Sequence, residues 1–308
     1  VRAALDDARV YLEDLDAIAV GNRPGLVGSL IVGASAAKTL AWALNKPLIG
    51  IDHVEAHLYA AALREPLASK TKPETRNPIP EFPALGLVIS GGHTSLYDVA
   101  SPTQMKLLGK TIDDAVGEAY DKAAVILDAG YPGGPNLDKL AQRGDPAAHK
   151  LPRPLLKPGS LDFSFSGLKT ALLYATRGTP TGRGKSSRFE RSAADLSDSQ
   201  RADLAASFQQ AVVDTVISKL KRAMKHLEQG GRQPKSLIIG GGVSANSLLR
   251  SRVAALGDQL QLDVHIPPLA LCVDNAAMIA GLAHAKLAAG AVDDLSLSVI
   301  ATTGAGLG

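Results

Sequence analysis

Two histidines stand four residues apart in the segment IDHVEAHLYA, residues 51–60, and together could bind a metal ion. On a helix, His53 and His57 would share one face, and a neutral imidazole is a good ligand for zinc or iron. The alternative is a pair of surface histidines on an ordinary helix, because this spacing also arises by chance. The zinc-protease motif HExxH has its glutamate directly after the first histidine. Val54 occupies that position here, which argues against a peptidase of that class.

Asp274, in the segment LCVDNAAMIA, is the best candidate for a third ligand. Two histidines and one carboxylate form a ligand set that leaves coordination positions open for a substrate oxygen. An aspartate at the start of a helix is also a common N-cap, and taken alone Asp274 is more typical of a cap. The residues by themselves leave both interpretations open.

Two glycine-rich turns could bind a phosphate through their backbone N–H groups. The first, in VISGGHTSL (88–96), joins two strands and is equally typical of a tight hairpin. The second, in IIGGGVSANSLLR (238–250), joins a strand to a helix and matches the dinucleotide pattern G-x-G-x-x-A. With Asp263 as the ribose-binding acid, this match supports an alternative class, a nicotinamide-dependent enzyme. However, Asp263 lies inside the predicted strand QLDVHIP and not at its end.

The segment IDDAVGEAYDK (112–122) places three acidic residues on one side of a predicted helix. Asp114, Glu118 and Asp121 are spaced i, i+4 and i+7, which puts them on one face. This pattern favours a solvated face with Lys122 paired to Glu118. The functional alternative is that Asp121 accepts hydrogen bonds from the hydroxyls of a ligand.

The elements that position these residues alternate between strands and helices, which predicts an α/β fold with largely parallel sheets. Helix-like patterns cover 1–12, 25–44, the segment capped by Asp52, 112–128, 201–228, 244–256 capped by Ser244, and 274–290. Strand-like patterns cover 16–21, 47–51, 84–90, 94–100, 236–242 and 261–267, with 84–100 forming a hairpin. Residues 24–37 resemble a buried helix of small residues. The segments 64–83 and 177–200 are typical of a linker and a mobile loop.

The composition is that of a globular chain of 308 residues, with 45% apolar and 20% charged residues. One cysteine, Cys272, excludes an intrachain disulfide and fits a reducing compartment, so we expect a cytoplasmic protein with no membrane partner. The net charge of +3 permits a nucleic-acid partner without requiring one. Aromatic residues make up 4%, which argues against extensive base-stacking platforms.

Seven motifs occur in a fixed order: GIDHVEAHLYA, VISGGHTSLY, IDDAVGEAYDKAA, YPGGPNLDKLA, FSFSGLKTALL, GGGVSANSLLR and CVDNAAMIA. In this order they strongly resemble the tRNA threonylcarbamoyladenosine transferase family, whose bacterial member is TsaD and which was formerly described as a glycoprotease. The resemblance implies an α/β fold of the actin-like ATPase type, with two ribonuclease-H-like lobes around a nucleotide cleft. Residues 1–82 would form the first lobe, with the helix 276–308 packing back on it, and 83–275 the second, adenylate-binding lobe.

The resemblance also implies a reaction and its residues. The threonylcarbamoyl group of threonylcarbamoyl-AMP would pass to the exocyclic amine of the adenosine beside the anticodon, in tRNAs that read ANN codons. His53, His57 and Asp274 would bind one divalent ion, Fe²⁺ or Zn²⁺, and His93 would carry a proton. The implied substrate-binding residues are Val88, Ile89, Ser90, Gly91, Gly92, Asp121, Gly134, Asp138 and Asn246. Accessory proteins similar to TsaB and TsaE would be partners.

The chain departs from the family pattern near its start. The opening strand, the acidic turn similar to ETSCDET and the segment of GG-V-P-E type are absent, so we expect a first lobe without its N-terminal strands. Such a lobe would expose the edge strand DAIAVG and favour aggregation, dimerisation and loss of transfer. At the positions of Asn22 and Arg23 the family usually has a simpler sequence that leads into Gly-Pro. Arg23 would contact a phosphate, a carboxylate or solvent. A catalytically inactive actin-like scaffold is therefore a second alternative.

Overall fold

The computed structural model describes residues 1–63, 79–181 and 189–302. They form an α/β structure with one two-stranded and one five-stranded sheet. The strands are β1 (Ile18–Arg23), β2 (Leu48–Asp52), β3 (Ala84–Ile89), β4 (Thr94–Ser101), β5 (Gln104–Lys110), β6 (Ser236–Gly240) and β7 (Asp263–His265). The helices are α1 (Arg2–Ala8), α2 (Val27–Leu44), α3 (His53–Tyr59), α4 (Val116–Ile126), α5 (Gly133–Ala141), α6 (Ser166–Arg177), α7 (Asp198–Gln229), α8 (Ser247–Leu260), α9 (Leu269–Cys272) and α10 (Ala276–Ala288).

The smaller sheet pairs β1 with β2 in parallel, and α2 is the crossover between them. The prediction that this helix is buried is wrong. Only Ala34, Ala37 and Ala41 are buried, because a two-stranded sheet is wide enough to cover only one narrow stripe of the helix. Val32 and Trp42 are 72% and 73% exposed. Among the described residues, α2 is the one helix that is long and apolar enough to cross a membrane, judged by length and composition alone.

The larger sheet has the strand order β5-β4-β3-β6-β7. One half of it is parallel, since β3, β6 and β7 run the same way, while β4 is antiparallel to both of its neighbours, β3 and β5. The predicted hairpin of β3 and β4 is confirmed, but the expectation of largely parallel sheets holds for only half of this sheet. The pattern analysis missed β5 altogether. It is an edge strand whose exposed and half-buried residues show no apolar run.

The main core lies between the larger sheet and helices α4 to α8. The helix α7 runs for 32 residues through this core and begins with a capping box formed by Ser197 and Gln200. Tyr120 of α4 and Phe208 of α7 meet edge to face, with their ring centroids 5.6 Å apart. The predicted helix 201–228 is therefore confirmed, and it begins slightly earlier than its pattern indicated.

The C-terminal helix returns to the smaller sheet. Met278 and Leu282 of α10 pack with Ile49 and Ile51 of β2 in a separate apolar cluster. Beyond the helix, the Asp293 amide donates to the carbonyl of Leu48 at 2.8 Å. The helix predicted over 276–308 ends at Ala288. The division into lobes at 82 and 275, with this helix assigned to the first lobe, stays a prediction.

Three local expectations need correction. The helix predicted over 1–12 ends at Ala8, because Arg9 has a positive φ of 56°. Ser244 does not cap the helix that follows the glycine turn: its hydroxyl donates to the sulfur of Cys272, and Asn246 is the cap. The predicted helix 112–128 begins only at Val116. Most of the predicted linker, 64–78, and part of the predicted loop, 182–188, lie outside the described residues.

Candidate functional site

The helix α3 begins directly after β2 because Asp52 caps it. The Oδ1 atom of Asp52 accepts the backbone N–H groups of Val54 at 2.8 Å and Glu55 at 3.3 Å. The predicted cap is thereby confirmed. It fixes the first turn of the helix, and His53 and His57 project from the same face with their ring centroids 4.8 Å apart.

Asp274 does not cap α10. The side chain of its neighbour Asn275 does so, accepting the N–H of Met278 at 2.8 Å. The carboxylate of Asp274 is therefore not used for capping α10. It lies 3.2 Å from Nε2 of His53 and 3.1 Å from Nε2 of His57. The cap interpretation is wrong, and the structure brings the three candidate ligands together.

The donor set fits a divalent metal ion. One ligand atom from each of His53, His57 and Asp274 lies within 4.8 Å of the others. His57 is fully buried, and its Nε2 atom lies 3.1 Å from Oδ1 of Asp274, the same oxygen that Nε2 of His53 approaches. Two imidazoles that converge on one carboxylate oxygen are the arrangement expected of ligands around a shared ion. Contacts with the two imidazoles also hold the pKa of the Asp274 carboxyl well below its usual range.

A cavity of ≈ 390 Å³ opens beside this triad. His53 and Asp274 line it together with the turn that joins β3 to β4, residues 90–93. The amide of His93 donates to Oγ of Ser90 at 3.1 Å, which closes this turn. Burial, and then the nearby His53, lower the pKa of His93. An imidazole and a glycine turn thus face the same space as the candidate metal ligands.

The glycine run after β6 is needed for packing. A Cβ on Gly240 would lie 2.3 Å from the carbonyl oxygen of His57, and one on Gly241 would lie 2.4 Å from that of Ile89. Gly241 also has a positive φ of 91°. These two glycines let α3 and β3 approach β6 closely, whereas a Cβ on Gly242 would meet nothing within 4 Å.

A second polar cluster surrounds Asp138. Oδ1 of Asp138 accepts hydrogen bonds from Gln209 at 3.0 Å, Asn246 at 3.2 Å and the hydroxyl of Ser247 at 2.8 Å. The amide of Asn246 also donates to Gln209 at 3.0 Å. The structure therefore brings together two of the predicted substrate residues, Asp138 and Asn246. Sequence reasoning missed Gln209 and Ser247, although Ser247 lies in the quoted GGGVSANSLLR motif.

Asp121 lies apart from the charge network of its helix. Lys122 pairs with Asp114 at 2.6 Å and with Glu118 at 2.7 Å, so the predicted pairing of Lys122 with Glu118 is confirmed. Asp121 is exposed and lies against Gly133, where a Cβ would approach its Oδ1 atom to 2.6 Å. This contact places Asp121 beside the first turn of α5, which contains Gly134.

The sequence model of the TsaD family, described as tRNA N6-adenosine threonylcarbamoyltransferase, matches residues 1–281. The chain belongs to this family. The tRNA N6-adenosine threonylcarbamoyltransferase of Trichlorobacter lovleyi is 47% identical over 302 residues, covering 98% of this chain and 79% of that protein. The protein of the same name from Symbiobacterium thermophilum is 46% identical over 309 residues, covering all of this chain and 81% of that protein.

Solved structures support the fold independently. T. kodakarensis HypF superposes with a TM-score of 0.59 at 16% identity, covering 92% of this chain and 43% of HypF. A full-length HypF in a phosphate- and nucleotide-bound form gives a TM-score of 0.54 at 12% identity, covering 84% of this chain and 38% of that chain. At these identities the likeness concerns the fold alone. It agrees with the expected actin-like ATPase architecture.

The geometry argues against the nicotinamide alternative. β6 and β7 are parallel, and Asp263 pairs with Ser236 at the beginning of β6. The glycine turn follows Gly240 at the opposite end of that strand. A ribose-binding acid has to stand at the same edge as the glycine turn, and Asp263 does not.

The basic segment 177–191 is described only at its ends. The amide of Arg191 donates to the carbonyl of Arg177 at 3.4 Å, and its guanidinium donates to that of Ala175 at 2.9 Å. Arg183, Lys185 and Arg188 lie outside the described residues. The excess of five basic residues over the single acid Glu190 predicts that this segment contacts tRNA phosphates.

Proposed function

We propose that this chain transfers the threonylcarbamoyl group of threonylcarbamoyl-AMP to N6 of an adenosine in tRNA, the adenosine beside the anticodon of tRNAs that read ANN codons. The observation that carries the proposal is the meeting of His53, His57 and Asp274 beside the cavity that the glycine turn lines. Membership in the threonylcarbamoyltransferase family supports the choice of reaction.

The adenylate is proposed to lie along the end of β3 and its turn, Val88–Gly92. A Cβ on Gly91 or Gly92 would meet nothing within 4 Å, so a ligand can approach this backbone closely. The nucleoside end would reach Asp121, Gly134 and the cluster of Asp138 and Asn246, whose carboxylate and amide groups suit ribose hydroxyls.

One Fe²⁺ or Zn²⁺ ion held by His53, His57 and Asp274 would supply Lewis-acid chemistry toward an oxygen of the acyl group. The chain's own contribution is positioning. α3 holds the two histidines, the segment before α10 holds Asp274, and the turn at residues 90–93 would set the acyl group against them. Because AMP is a good leaving group, orientation supplies much of the rate.

The transfer itself is a substitution at the carbonyl carbon. N6 of the adenosine attacks this carbon, the bond from the carbon to the phosphate oxygen breaks, and AMP leaves. The proton released from N6 would pass to His93, which lines the cavity with His53 and Asp274. Partners in the proposal are tRNA and accessory proteins similar to TsaB and TsaE, and the location is the cytoplasm.

The test is a transfer assay with purified threonylcarbamoyl-AMP, a tRNA transcript and Fe²⁺ or Zn²⁺, with and without the accessory proteins. Modified nucleosides are measured by mass spectrometry. We expect transfer by the wild-type chain, loss in His57→Ala, and full activity in the matched control His284→Ala, an exposed histidine on α10. No transfer under any condition would favour the inactive scaffold. Full activity of His57→Ala would overturn the proposed site.

A further inference from the structure

Arg23 has an unusual setting for the last residue of a strand. Its Nε atom is buried and lies 3.2 Å from Oδ2 of Asp52, without a hydrogen bond. The side chain is nevertheless 35% exposed, so the exposed part lies elsewhere on the side chain. Arg23 lines the same cavity as His53 and Asp274.

We infer that the outer edge of the Arg23 guanidinium binds the carboxylate of the threonyl group of the donor, an inference that rests on the proposed function. Asp52 contacts the inner, Nε edge and thereby orients the planar group. The outer edge then offers two parallel N–H donors, a geometry that matches a carboxylate. Asp52 is itself fixed by the two amides of α3 that it caps, so the guanidinium is held by a rigid support.

The position along the cavity favours the carboxylate over the phosphate. Arg23 lines the cavity with the candidate metal ligands, whereas Asp138 and Asn246, the proposed nucleoside contacts, do not line it. In threonylcarbamoyl-AMP the carboxylate lies at the end of the molecule opposite the adenine, and the phosphate lies between them. An arginine at the metal end of the cavity is therefore matched to the amino-acid end of the donor.

Asn22, the neighbouring residue, serves a different purpose. It is buried, and its side-chain amide donates to the carbonyl of Ser298 at 3.0 Å. The backbone carbonyl of Asn22 accepts the amide of Ile300 at 3.0 Å. Asn22 thus ties the C-terminal segment to the sheet, and of the two residues that depart from the family pattern only Arg23 lines the cavity.

The experiment compares Arg23→Gln with wild type, using the full chain loaded with Zn²⁺ and titration calorimetry. Three ligands are used: an uncleavable threonylcarbamoyl-adenylate, the matching threoninol analogue that lacks only the carboxylate, and AMP. We expect Arg23→Gln to weaken the carboxylate ligand by about 10- to 100-fold, as for a bidentate charged contact, and the other two by less than about threefold. Arg23→Lys should fall between, because it keeps the charge and loses the planar fork. In the transfer assay, KM should rise while kcat stays nearly constant.

Several results would overturn the inference. Equal losses for all three ligands, each of which carries the phosphate, would mean a phosphate contact or a structural role, and either would replace the carboxylate contact. Unchanged binding in Arg23→Gln, while wild type binds the donor analogue, would refute Arg23 alone and leave the proposed function intact. Failure of wild type to bind either acyl ligand would refute both. If Arg23→Gln melts much below wild type, the comparison of ligands is made with Arg23→Lys, which keeps the charge opposite Asp52.

Discussion

Gly240→Ala should damage the candidate metal site from a distance. The added Cβ would lie 2.3 Å from the carbonyl oxygen and 2.6 Å from the carbonyl carbon of His57, and ordinary contacts begin at 3.4 Å. Both clashing atoms are backbone, so no side-chain rotation relieves them. Either α3 or β6 has to move by about 1 Å.

The magnitude follows from this displacement. Overpacking a core costs about 1–3 kcal/mol, and a clash with backbone belongs at the upper end, about 3 kcal/mol. For a chain of this size we expect the melting temperature to fall by roughly 5 °C. Metal ligation tolerates only about 0.2 Å, so moving His57 with α3 should weaken metal binding at least about tenfold.

The assay pairs Gly240→Ala with the matched control Gly242→Ala, two residues further on, where an added Cβ meets nothing within 4 Å. Melting is followed by calorimetry, and zinc affinity by competition with a chelator. The control should behave as wild type in both measurements. If Gly240→Ala melts within about 1 °C of wild type and holds zinc as tightly, the close packing of α3 on β6 is wrong.

Three further results are expected. His53→Ala, His57→Ala and Asp274→Ala should each lose tight metal binding by elemental analysis, whereas His284→Ala should keep it; full occupancy in any of the three would disprove the ligand set. Replacing the five basic residues from Arg177 to Arg191 with alanine should weaken tRNA binding and make its affinity less dependent on salt. If the slope of log affinity against log salt concentration is unchanged, the segment has no role in binding. Burial lowers the pKa of Lys219 from 10.5 to about 8. Because the unfolded chain then binds more protons between these values, wild type should gain stability relative to Lys219→Met as the pH rises from 8 to 10.5. If the two proteins differ in free energy of unfolding by the same amount across that pH range, measured by chemical denaturation, this expectation is wrong.

Local signals predicted the start of α3 and the shared face of its two histidines, because both depend on neighbouring residues. Asp52 directly precedes a helical pattern, so both the cap and the shared face of the two histidines follow from neighbouring residues. Asp274 was harder, because Asp274 and Asn275 both have capping side chains and only the backbone decides which of them caps. Its approach to α3 is a contact across more than 200 residues, which the motif resemblance supplied and periodicity did not.

Long-range packing explains most of the errors. The pattern of α2 has the small, apolar residues of a buried helix, but burial depends on how many strands face it, which no local pattern contains. The edge strand β5 lacks an apolar run, because most of its side chains stay exposed or half-buried at the rim of the sheet. The cluster around Asp138 joins α5, α7 and α8, so the part played by Gln209 is visible only once these helices are packed.

The seven-residue helix α3 has almost no side that is free to change. Val54 and Leu58 pack in the cluster of the larger sheet and Ala56 in that of the smaller sheet. His53 lines the cavity, and His57 is fully buried beside it. Because it is packed on both sheets, α3 fixes the distance between the candidate ligands and the glycine turn. The two sheets cannot separate here without unpacking Val54 and Leu58. Gly91 and Gly92, where an added Cβ would meet nothing within 4 Å, leave one side of the cavity open to an incoming donor.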